Sequence, residues 1–187
     1  MTLVRRANRL ASQHGFSMVE LIIALGVVAV VLASSLPMVF RSQRAYRLMN
    51  DTRAIADQLT LARVRAASEF TQTRLNFNLA NGSYQLQLWD KATNSFDITE
   101  GGRQYLSGST NFSIGTVGTP AGSQTTIQES PQIIFNSRGI AVDNTGAATG
   151  NYAIYLSDNQ SQYSAVSVSA GGKVSIWRWK GSSWQGY

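Results

Sequence analysis

The chain has 187 residues, with 16 Lys and Arg against 10 Asp and Glu, a single histidine and no cysteine. Without cysteine there is no disulfide scaffold, no cysteine-ligated metal site and no thiol nucleophile, and one histidine does not make a multi-His metal site or a Ser-His-Asp triad. The net charge of +6 would favour an acidic partner such as nucleic acid, yet only 14% of the residues are charged, against about 25% in an average soluble domain. The position of the charges along the chain therefore decides what they mean.

The amino-terminal forty residues combine a basic start with a long apolar run. Arg5, Arg6 and Arg9 precede the run, and residues 21–33 are all apolar or glycine. With the apolar residues on either side, the run approaches 25 positions, and its only charge is Glu20. About 20 such residues cross a bilayer as a helix, so we predict a membrane-spanning segment over residues 16–40.

Three interpretations of this segment compete. A secretory signal peptide would be cleaved after residues 31–33, before Ser34, although apolar residues resume beyond that point. A plain membrane anchor leaves Glu20 as an unexplained cost, of about 2.5–3.5 kcal/mol at mid-membrane and less near an end. The third interpretation accounts for Glu20 and depends on the residues that surround it.

The sequence Gly-Phe-Ser-Met-Val-Glu-Leu at residues 15–21 resembles the prepilin-peptidase site of type IV pilins and type II secretion pseudopilins. The resemblance implies that residues 1–15 are a leader peptide. It also implies that a prepilin peptidase and methyltransferase cuts between Gly15 and Phe16 and that Phe16 is then N-methylated.

Glu20 and Pro37 also stand where that family has a glutamate and a proline. In a filament of such subunits, the resemblance implies that the Glu20 carboxylate meets the charged amino terminus of Phe16 in a neighbouring subunit, which lowers the desolvation cost of both charges and fixes the register. The alternative for Glu20 is a side chain that snorkels to the membrane edge. Pro37 either kinks the helix or ends it, because it cannot donate the i to i−4 hydrogen bond.

The arginines give no orientation in the membrane by themselves. The three that precede the apolar run are balanced by Arg41, Arg44 and Arg47 after it, so the positive-inside rule predicts almost no preference between the two orientations. The resemblance implies a single pass through the bacterial inner membrane, in contact with its lipid, with the leader in the cytoplasm and the carboxyl-terminal domain in the periplasm.

Residues 41–69 continue with helical periodicity. An apolar stripe recurs at spacings of three, four and seven residues, and consists of Leu48, Ile55, Leu59, Ala62 and Ala66. No glycine or proline lies between Pro37 and Phe70, so we predict one helix over residues 17–69, of which 41–69 is the amphipathic continuation. The six arginines between positions 41 and 65 are predicted to form a solvated face or contacts between subunits.

Beyond residue 70 the pattern changes to the alternation that is typical of β-strands. Residues 75–79 and 84–88 alternate on either side of an Asn-Gly pair, which predicts a hairpin. A weaker strand is predicted at 104–114 and a long loop at 115–131. Further strands are predicted at 133–136, 152–156, 164–168 and 173–179. A long membrane-spanning and then amphipathic helix followed only by strands predicts the α+β class, with the helix packed on an antiparallel β-sheet.

Three downstream segments resemble the GspH/FimT branch of minor pilins. They are the Ala- and Arg-rich helix end at 61–69, the Ile-Phe-x-x-x-Gly turn at 134–139 and the Gly-Gly-Lys-Val sequence at 171–174. The resemblance implies a pilin-like fold in which residues 70–187 form a periplasmic antiparallel β domain. It also implies a minor pseudopilin of a type II secretion system, which assembles with other pilins or pseudopilins into a periplasmic pseudopilus for protein secretion.

No catalytic, cofactor-binding or metal-binding site is predicted, and we do not expect the chain to be an enzyme. Its Ser and Thr residues lack a histidine partner, because His14 falls in the predicted leader. Asp90, Asp97 and Glu100 lie close together in the sequence but do not have the spacing of a calcium loop, so a solvated loop is favoured over a cation site.

The carboxyl end interleaves cations and aromatic residues. The residues concerned are Lys173, Trp177, Arg178, Trp179 and Lys180. Such a pattern can stack bases and neutralise phosphates, and a basic carboxyl-terminal segment is implicated in DNA uptake by FimT-like pilins. The match is partial, since residues 172–175 offer one cation where Gly-Arg-x-Arg would be expected. A FimT-like minor type IV pilin for pilus biogenesis or DNA uptake is therefore the alternative function, and packing of the tryptophan pair at a sheet edge is the favoured role of these residues.

Overall fold

The computed structural model describes residues 16–187, so the predicted leader with His14 and Gly15 lies outside the described residues. Within that range the elements are α1 (Met18–Ser68), β1 (Thr73–Asn78), β2 (Ser83–Asp90), β3 (Ser95–Tyr105), β4 (Asn111–Phe112), β5 (Gln132–Phe135), β6 (Ala141–Val142), β7 (Tyr152–Ser157), β8 (Tyr163–Val168), β9 (Val174–Trp179) and β10 (Trp184–Gly186). The chain divides into two compact units, one that ends at Arg41 and one that comprises Ser42–Tyr187. The predicted long helix and the α+β class are confirmed.

The first unit consists, within the described residues, of the amino-terminal part of α1 and the two residues before it. The Leu21 N–H donates to the Ser17 carbonyl at 3.1 Å and closes the first turn of the helix. All side chains from 16 to 41 are exposed. Pro37 lies inside α1, so the alternative that it ends the helix is wrong.

In the second unit, α1 buries one stripe of side chains against the sheets. The stripe consists of Leu48, Thr52, Ile55, Ala56, Leu59, Ala62 and Ala66. It contains all five apolar positions that the periodicity predicted. Thr52 is accommodated because its hydroxyl donates to the Leu48 carbonyl at 2.7 Å and its oxygen lies 2.6 Å from the Ser164 hydroxyl oxygen. A buried hydroxyl with such partners does not carry the penalty of an unsatisfied polar group.

The helix ends with a left-handed residue that is not glycine. Phe70 has a φ of +48°, and the N–H of Thr71 donates to the Ala66 carbonyl at 3.2 Å, as in a Schellman termination. The Thr73 hydroxyl then donates to the Ala62 carbonyl at 2.7 Å. This bond ties the beginning of β1 to the last turns of the helix.

Two five-stranded sheets replace the single sheet that the sequence predicted. Sheet A has the strand order β3-β2-β1-β5-β6, and sheet B has the order β10-β9-β8-β7-β4. Every pairing in both sheets is antiparallel. The predicted hairpin is confirmed as β1–β2, in which Asn78 pairs with Ser83, and the turn between them uses Gly82 at φ +64°, a conformation that glycine adopts without strain.

Both sheets turn one face to the buried stripe of α1. Leu75 and Phe135 of sheet A share a single apolar core with Ile154 and Val166 of sheet B and with Leu59 of the helix. Burying such side chains is the main stabilising contribution to a fold of this kind, at about 25 cal/mol for each Å² of apolar surface.

The other face of sheet B is covered by a segment without strands. Residues 113–131 pass over it, and the prediction of a long loop here is confirmed. Ala121 of this segment is fully buried and packs against Tyr155 of β7. The Tyr155 hydroxyl donates to the Thr126 carbonyl at 2.8 Å and accepts the Ala121 N–H at 3.2 Å. The segment is therefore an ordered cover that is hydrogen-bonded to the sheet beneath it.

The strand predicted at 104–114 is wrong. β3 begins at Ser95 and ends at Tyr105, and of the remaining positions only Asn111 and Phe112 belong to a strand. Strand β3 was not predicted, because most of its side chains are exposed and no alternating apolar pattern marks a buried face. Strands β6 and β10 were not predicted either, and both are short.

Candidate functional site

The predicted processing and register residues lie at the start of α1. Phe16 precedes the helix by two residues and is 85% exposed. Glu20 lies in the first turn and is also exposed, at a position where the helix dipole favours a carboxylate. Gly15, on the other side of the predicted cleavage bond, lies outside the described residues. Phe16 and the Glu20 carboxylate are therefore both accessible to a partner molecule.

The apolar part of α1 contacts nothing that buries it in the part of the chain that the structure describes. None of its side chains is buried, and Met18 and Met38 are 80% and 78% exposed. By length and composition the helix is able to cross a membrane. An apolar surface of this extent is stable only when lipid or another protein covers it.

Two serines within the apolar run are satisfied by the helix itself. The hydroxyls of Ser34 and Ser35 donate to the Val31 carbonyl at 2.9 Å and 2.8 Å. Internal hydrogen bonds of this kind are what a polar side chain needs in hydrocarbon. Ser34, the first residue after the cleavage site of the signal-peptide interpretation, lies inside α1.

Strand β9 separates the carboxyl-terminal candidate residues onto two faces. Val174 and Ile176 pack toward the core that contains α1, whereas Trp177 packs on the opposite face. Because side chains alternate along a strand, Arg178 lies on the α1 side. The Trp177 Nε1–H donates to the Ser167 hydroxyl at 2.8 Å, which fixes the indole against the neighbouring strand.

The three tryptophans at this end pack against the protein. Trp177 lies beneath the covering segment, where a Cβ on Gly122 would come within 2.3 Å of its ring. The Trp184 Nε1–H donates to the carbonyl of Thr119 at 2.7 Å. Trp179 stacks edge-on against Trp184 with ring centroids 5.4 Å apart. These rings hold the covering segment and the last hairpin together.

The two candidate lysines lie at opposite ends of the same strand. Lys173 precedes β9 and Lys180 follows it, which places them about 23 Å apart along an extended chain. The structure therefore does not bring the five residues that the sequence singled out onto one surface.

The three acids that are close in sequence each have a partner of their own. The Asp90 carboxylate accepts the Ala92 N–H at 2.8 Å, and Glu100 forms an ion pair with Arg65 of α1. Hydrogen bonds from the Ser95 and Thr93 hydroxyls lower the pKa of Asp97 from its usual value. Among residues 16–187 no group of three or more His, Cys, Asp or Glu is placed to hold a metal ion.

A junction between the helix and two turns was not predicted from the sequence. The Arg63 Nε–H donates to the Gly139 carbonyl at 3.1 Å. A Cβ on Gly172 would lie 2.0 Å from that same carbonyl oxygen, so the turn between β8 and β9 rests directly on the turn between β5 and β6. The segments at 134–139 and 171–174, on which the resemblance to minor pilins is based, are therefore in contact with each other and with Arg63 of α1.

Comparison with known proteins defines the class of the amino-terminal segment. Residues 10–36 match the family model of the prokaryotic N-terminal methylation motif, so the chain carries the motif that its sequence predicted. No curated protein matches the chain in sequence.

Among solved structures, the chain is similar to the minor pseudopilin EpsH from the Type 2 Secretion System of Vibrio cholerae. One EpsH structure has a TM-score of 0.48 and 10% sequence identity, and the match covers 70% of this chain and 95% of that chain. A crystal structure of the same Vibrio cholerae pseudopilin gives a TM-score of 0.45 and 9% identity, over 70% of this chain and 92% of that chain.

Proposed function

We propose that this chain is a membrane-anchored filament subunit and acts as a minor pseudopilin of a type II secretion system. The observation that carries the proposal is the coincidence of the methylation motif at 10–36 with the apolar part of α1, residues 18–41, in which every side chain is exposed. In this proposal a prepilin peptidase cuts between Gly15 and Phe16 and methylates Phe16. Residues 16–40 then hold the chain in the bacterial inner membrane, and the second unit lies in the periplasm.

Assembly in this proposal depends on pairing two charges within lipid. Cleavage frees the amine of Phe16, which stays protonated after methylation, and the Glu20 carboxylate of a neighbouring subunit is its partner. A lone carboxylate costs about 2.5–3.5 kcal/mol at the centre of a bilayer and less near the end of the helix, where Glu20 lies, so an unpaired subunit is disfavoured relative to a paired one. The pairing also fixes the axial position of one helix against the next.

The second unit supports a role in packing and binding rather than in turnover. Its Asp90, Asp97 and Glu100 are hydrogen-bonded or ion-paired within the fold. A nucleophile paired with a histidine base has no counterpart among residues 16–187, because the only histidine of the chain is His14.

Replacing Glu20 tests the assembly step. In cells that carry the secretion machinery, Glu20→Gln should be processed to the same mature chain, yet its cross-links to other filament subunits should fall at least about tenfold, as the loss of one buried ion pair predicts. Formaldehyde cross-linking and immunoblotting measure the effect. Glu69→Gln, at an exposed residue directly after α1, is the matched control and should cross-link as the wild type does. Wild-type cross-linking of Glu20→Gln would contradict the role of the carboxylate.

The alternative, a FimT-like minor type IV pilin that binds DNA, has weaker support. Its candidates Lys173, Trp177, Arg178, Trp179 and Lys180 do not share one surface, and Trp177 is covered. A gel-shift titration of the full chain with duplex DNA separates the two proposals. Salt-dependent binding that is lost in Lys180→Gln would favour the alternative, whereas no binding at low salt would contradict it.

A further inference from the structure

Two cavities of the second unit share Trp89 of β2. The lining of the first, of about 330 Å³, includes the polar and aromatic residues Gln72, Trp89, Phe96, Asp143, Asn144 and Thr145. The second has a volume of about 250 Å³, and its lining includes Asn136 together with the same Gln72 and Trp89. Because Leu88 packs on the core that contains α1, alternation along β2 directs Trp89 to the opposite face of sheet A. The two cavities are therefore neighbours that Trp89 borders from between.

Trp89 is held in position by the protein, whereas its indole N–H is left without a partner. Its backbone N–H donates to the Gln72 carbonyl at 2.8 Å, and its ring meets the Phe96 ring edge-on with centroids 5.0 Å apart. Trp177 and Trp184 both donate their indole N–H groups to protein acceptors, but among residues 16–187 nothing accepts from Trp89 Nε1. A half-buried indole with an unused donor is suited to a ligand that has an apolar face and oxygen acceptors.

An asparagine on each side of Trp89 is oriented through its carbonyl oxygen. Asn144 Oδ1 accepts the side-chain amide of Gln132 at 2.7 Å. Asn136 Oδ1 accepts two backbone N–H groups of its own turn at 3.0 Å and 3.1 Å. Within the part of the chain that the structure describes, neither Nδ2 group donates to another residue. Each cavity is thus lined by amide donors whose direction is fixed and which remain available to a ligand.

Asp143, which lines the first cavity next to Asn144, supplies an acceptor. Its Oδ1 accepts the N–H and the hydroxyl of Thr145 at 2.8 Å and 2.6 Å and the Ala147 N–H at 3.0 Å. The hydrogen bond from the Thr145 hydroxyl, followed by those from the backbone, lowers the pKa of Asp143. No residue among 16–187 donates to its Oδ2. A carboxylate oxygen next to amide donors matches a pair of adjacent hydroxyls, of which one donates and the other accepts.

The charges around the two cavities disfavour a charged polymer of either sign. Asp143 opposes an anionic ligand such as nucleic acid in the first cavity. The guanidinium carbon of Arg74 lies 4.4 Å from the centroid of the Phe96 ring, and Lys91 lines the second cavity, so a polycation is opposed as well. Between these charges the lining offers amide and carboxylate groups around an aromatic side chain. That combination favours an uncharged ligand with many hydroxyls.

We propose that the two cavities bind a neutral oligosaccharide, with one sugar ring in each and with Trp89 between them. The C–H groups on the face of a sugar ring pack on the indole, and the hydroxyls at its rim bind Asn136, Asp143 and Asn144. Both cavities lie in the second unit, so the inference does not depend on membrane insertion or filament assembly. In the proposed function, the site lets the periplasmic unit bind the glycan of the cell wall.

Isothermal titration calorimetry of the full chain, in a detergent without a sugar headgroup, tests the inference. Chitotetraose and cellotetraose are the probes, and tetralysine, tetraalanine and a DNA tetranucleotide are the comparison ligands. Trp89→Ala removes the shared aromatic ring, and Asn144→Ala removes one amide donor. Asn78→Ala is the matched control, because Asn78 is likewise exposed and accepts one hydrogen bond, from the Asn81 N–H at 3.2 Å.

We expect the wild type to bind at least one of the two tetrasaccharides more tightly than any comparison ligand. Asn144→Ala should weaken this binding about tenfold, which corresponds to about 1.4 kcal/mol, and Trp89→Ala should weaken it at least as much. Asn78→Ala should bind as the wild type does. Because Asn144 is exposed, its replacement leaves the core intact, so its result stands even if Trp89→Ala unfolds.

The absence of heat with both tetrasaccharides, or equal affinity of the wild type and Asn144→Ala, would overturn the inference. Tighter binding of tetralysine or tetraalanine would assign the site to a protein segment, and tighter binding of the tetranucleotide would assign it to nucleic acid. The proposed function is tested separately by the cross-linking of Glu20→Gln. A chain that cross-links as predicted but binds no tetrasaccharide contradicts only this inference.

Discussion

Phe70 follows α1 with a φ of +48° and with 77% of its side chain exposed. A residue with a Cβ loses about 1–2 kcal/mol in this left-handed conformation, and glycine is the usual residue at this point of a helix termination. The exposed ring gains little from burial that could offset the strain. The conformation is imposed by the turn that carries the chain from the helix to β1.

Replacing Phe70 with glycine should therefore stabilise the fold. Because every buried residue among 16–187 lies in the second unit, unfolding can be measured on residues 42–187 with urea. We expect Phe70→Gly to raise the free energy of unfolding by about 1 kcal/mol. Ala67→Gly, an exposed position with helical backbone, is the matched control and should lower it by about 1 kcal/mol. A decrease in both variants would show that Phe70 is not strained.

Tyr155 joins the covering segment to sheet B through its hydroxyl. The side chain is fully buried, and burial raises the pKa of its phenol. Removing the hydroxyl leaves the Thr126 carbonyl and the Ala121 N–H without this partner. A buried group that loses its only hydrogen bond costs about 1–3 kcal/mol.

Tyr155→Phe should accordingly lower the free energy of unfolding by about 1–3 kcal/mol at neutral pH. The native state keeps the phenolic proton at a pH where the unfolded chain, with an ordinary pKa of about 10, releases it. The stability of the wild type should therefore fall as the pH rises above that value, and the variant should lose less over the same range. Tyr105→Phe, at a residue that is 64% exposed, should leave the free energy of unfolding at neutral pH unchanged. Parallel pH dependence in wild type and Tyr155→Phe would contradict the burial argument.

At the scale of elements, the contact between two turns joins the sheets to each other and to the helix. Gly172 has a φ of +76°, and its backbone lies against the Gly139 carbonyl that also accepts the Arg63 side chain. An alanine at 172 would be both strained and in collision with backbone, which cannot move as a side-chain end can. Neighbouring Gly171 has open space around the same position.

The pair Gly172→Ala and Gly171→Ala isolates this contact. We expect the first to lower the free energy of unfolding of residues 42–187 by at least about 2 kcal/mol, because the strain and the collision add. The second should change it by less than about 0.5 kcal/mol. Urea titration measures both, and equal effects would show that the two turns do not meet as described.

The strands that the sequence predicted are those inside the sheets, and the strands it missed or misplaced are at their edges. β1, β2 and β5 lie within sheet A, and β7, β8 and β9 lie within sheet B, whereas β3, β6, β4 and β10 are the outermost strands. Central strands bury one or both of their faces, so their sequences show the apolar pattern from which strands are predicted. Edge strands are commonly short or polar, which prevents pairing with other chains, and this removes the signal.

The candidate sites also divide into residues that a local sequence pattern identifies and residues that only the fold brings together. The residues from Gly15 to Glu20 form a local motif, so spacing along the chain was enough to single them out. Trp89 and Asn144 are brought to one cavity only by the pairing of the strands that lie between them in sheet A. No periodicity within either segment contains that information.

At the scale of the whole molecule, the basic residues are concentrated in two segments of the chain, which the net charge alone does not show. Residues 1–15 hold three of the sixteen basic side chains and no acid, so the balance in the remaining chain is thirteen against ten. Six arginines lie between positions 41 and 65 with two aspartates. The charge is thus concentrated in residues 1–15 and in the part of the helix that follows the apolar run. In the proposed function, lipid and neighbouring subunits are the partners of that part of the helix.

The mass of the mature chain extracted from membranes tests the central claim most directly. Processing between Gly15 and Phe16 predicts a protein that begins at Phe16 and is heavier by one methyl group, placed on its amino-terminal residue by fragmentation. A chain that begins at Ser34, or one that retains residues 1–15, would contradict it.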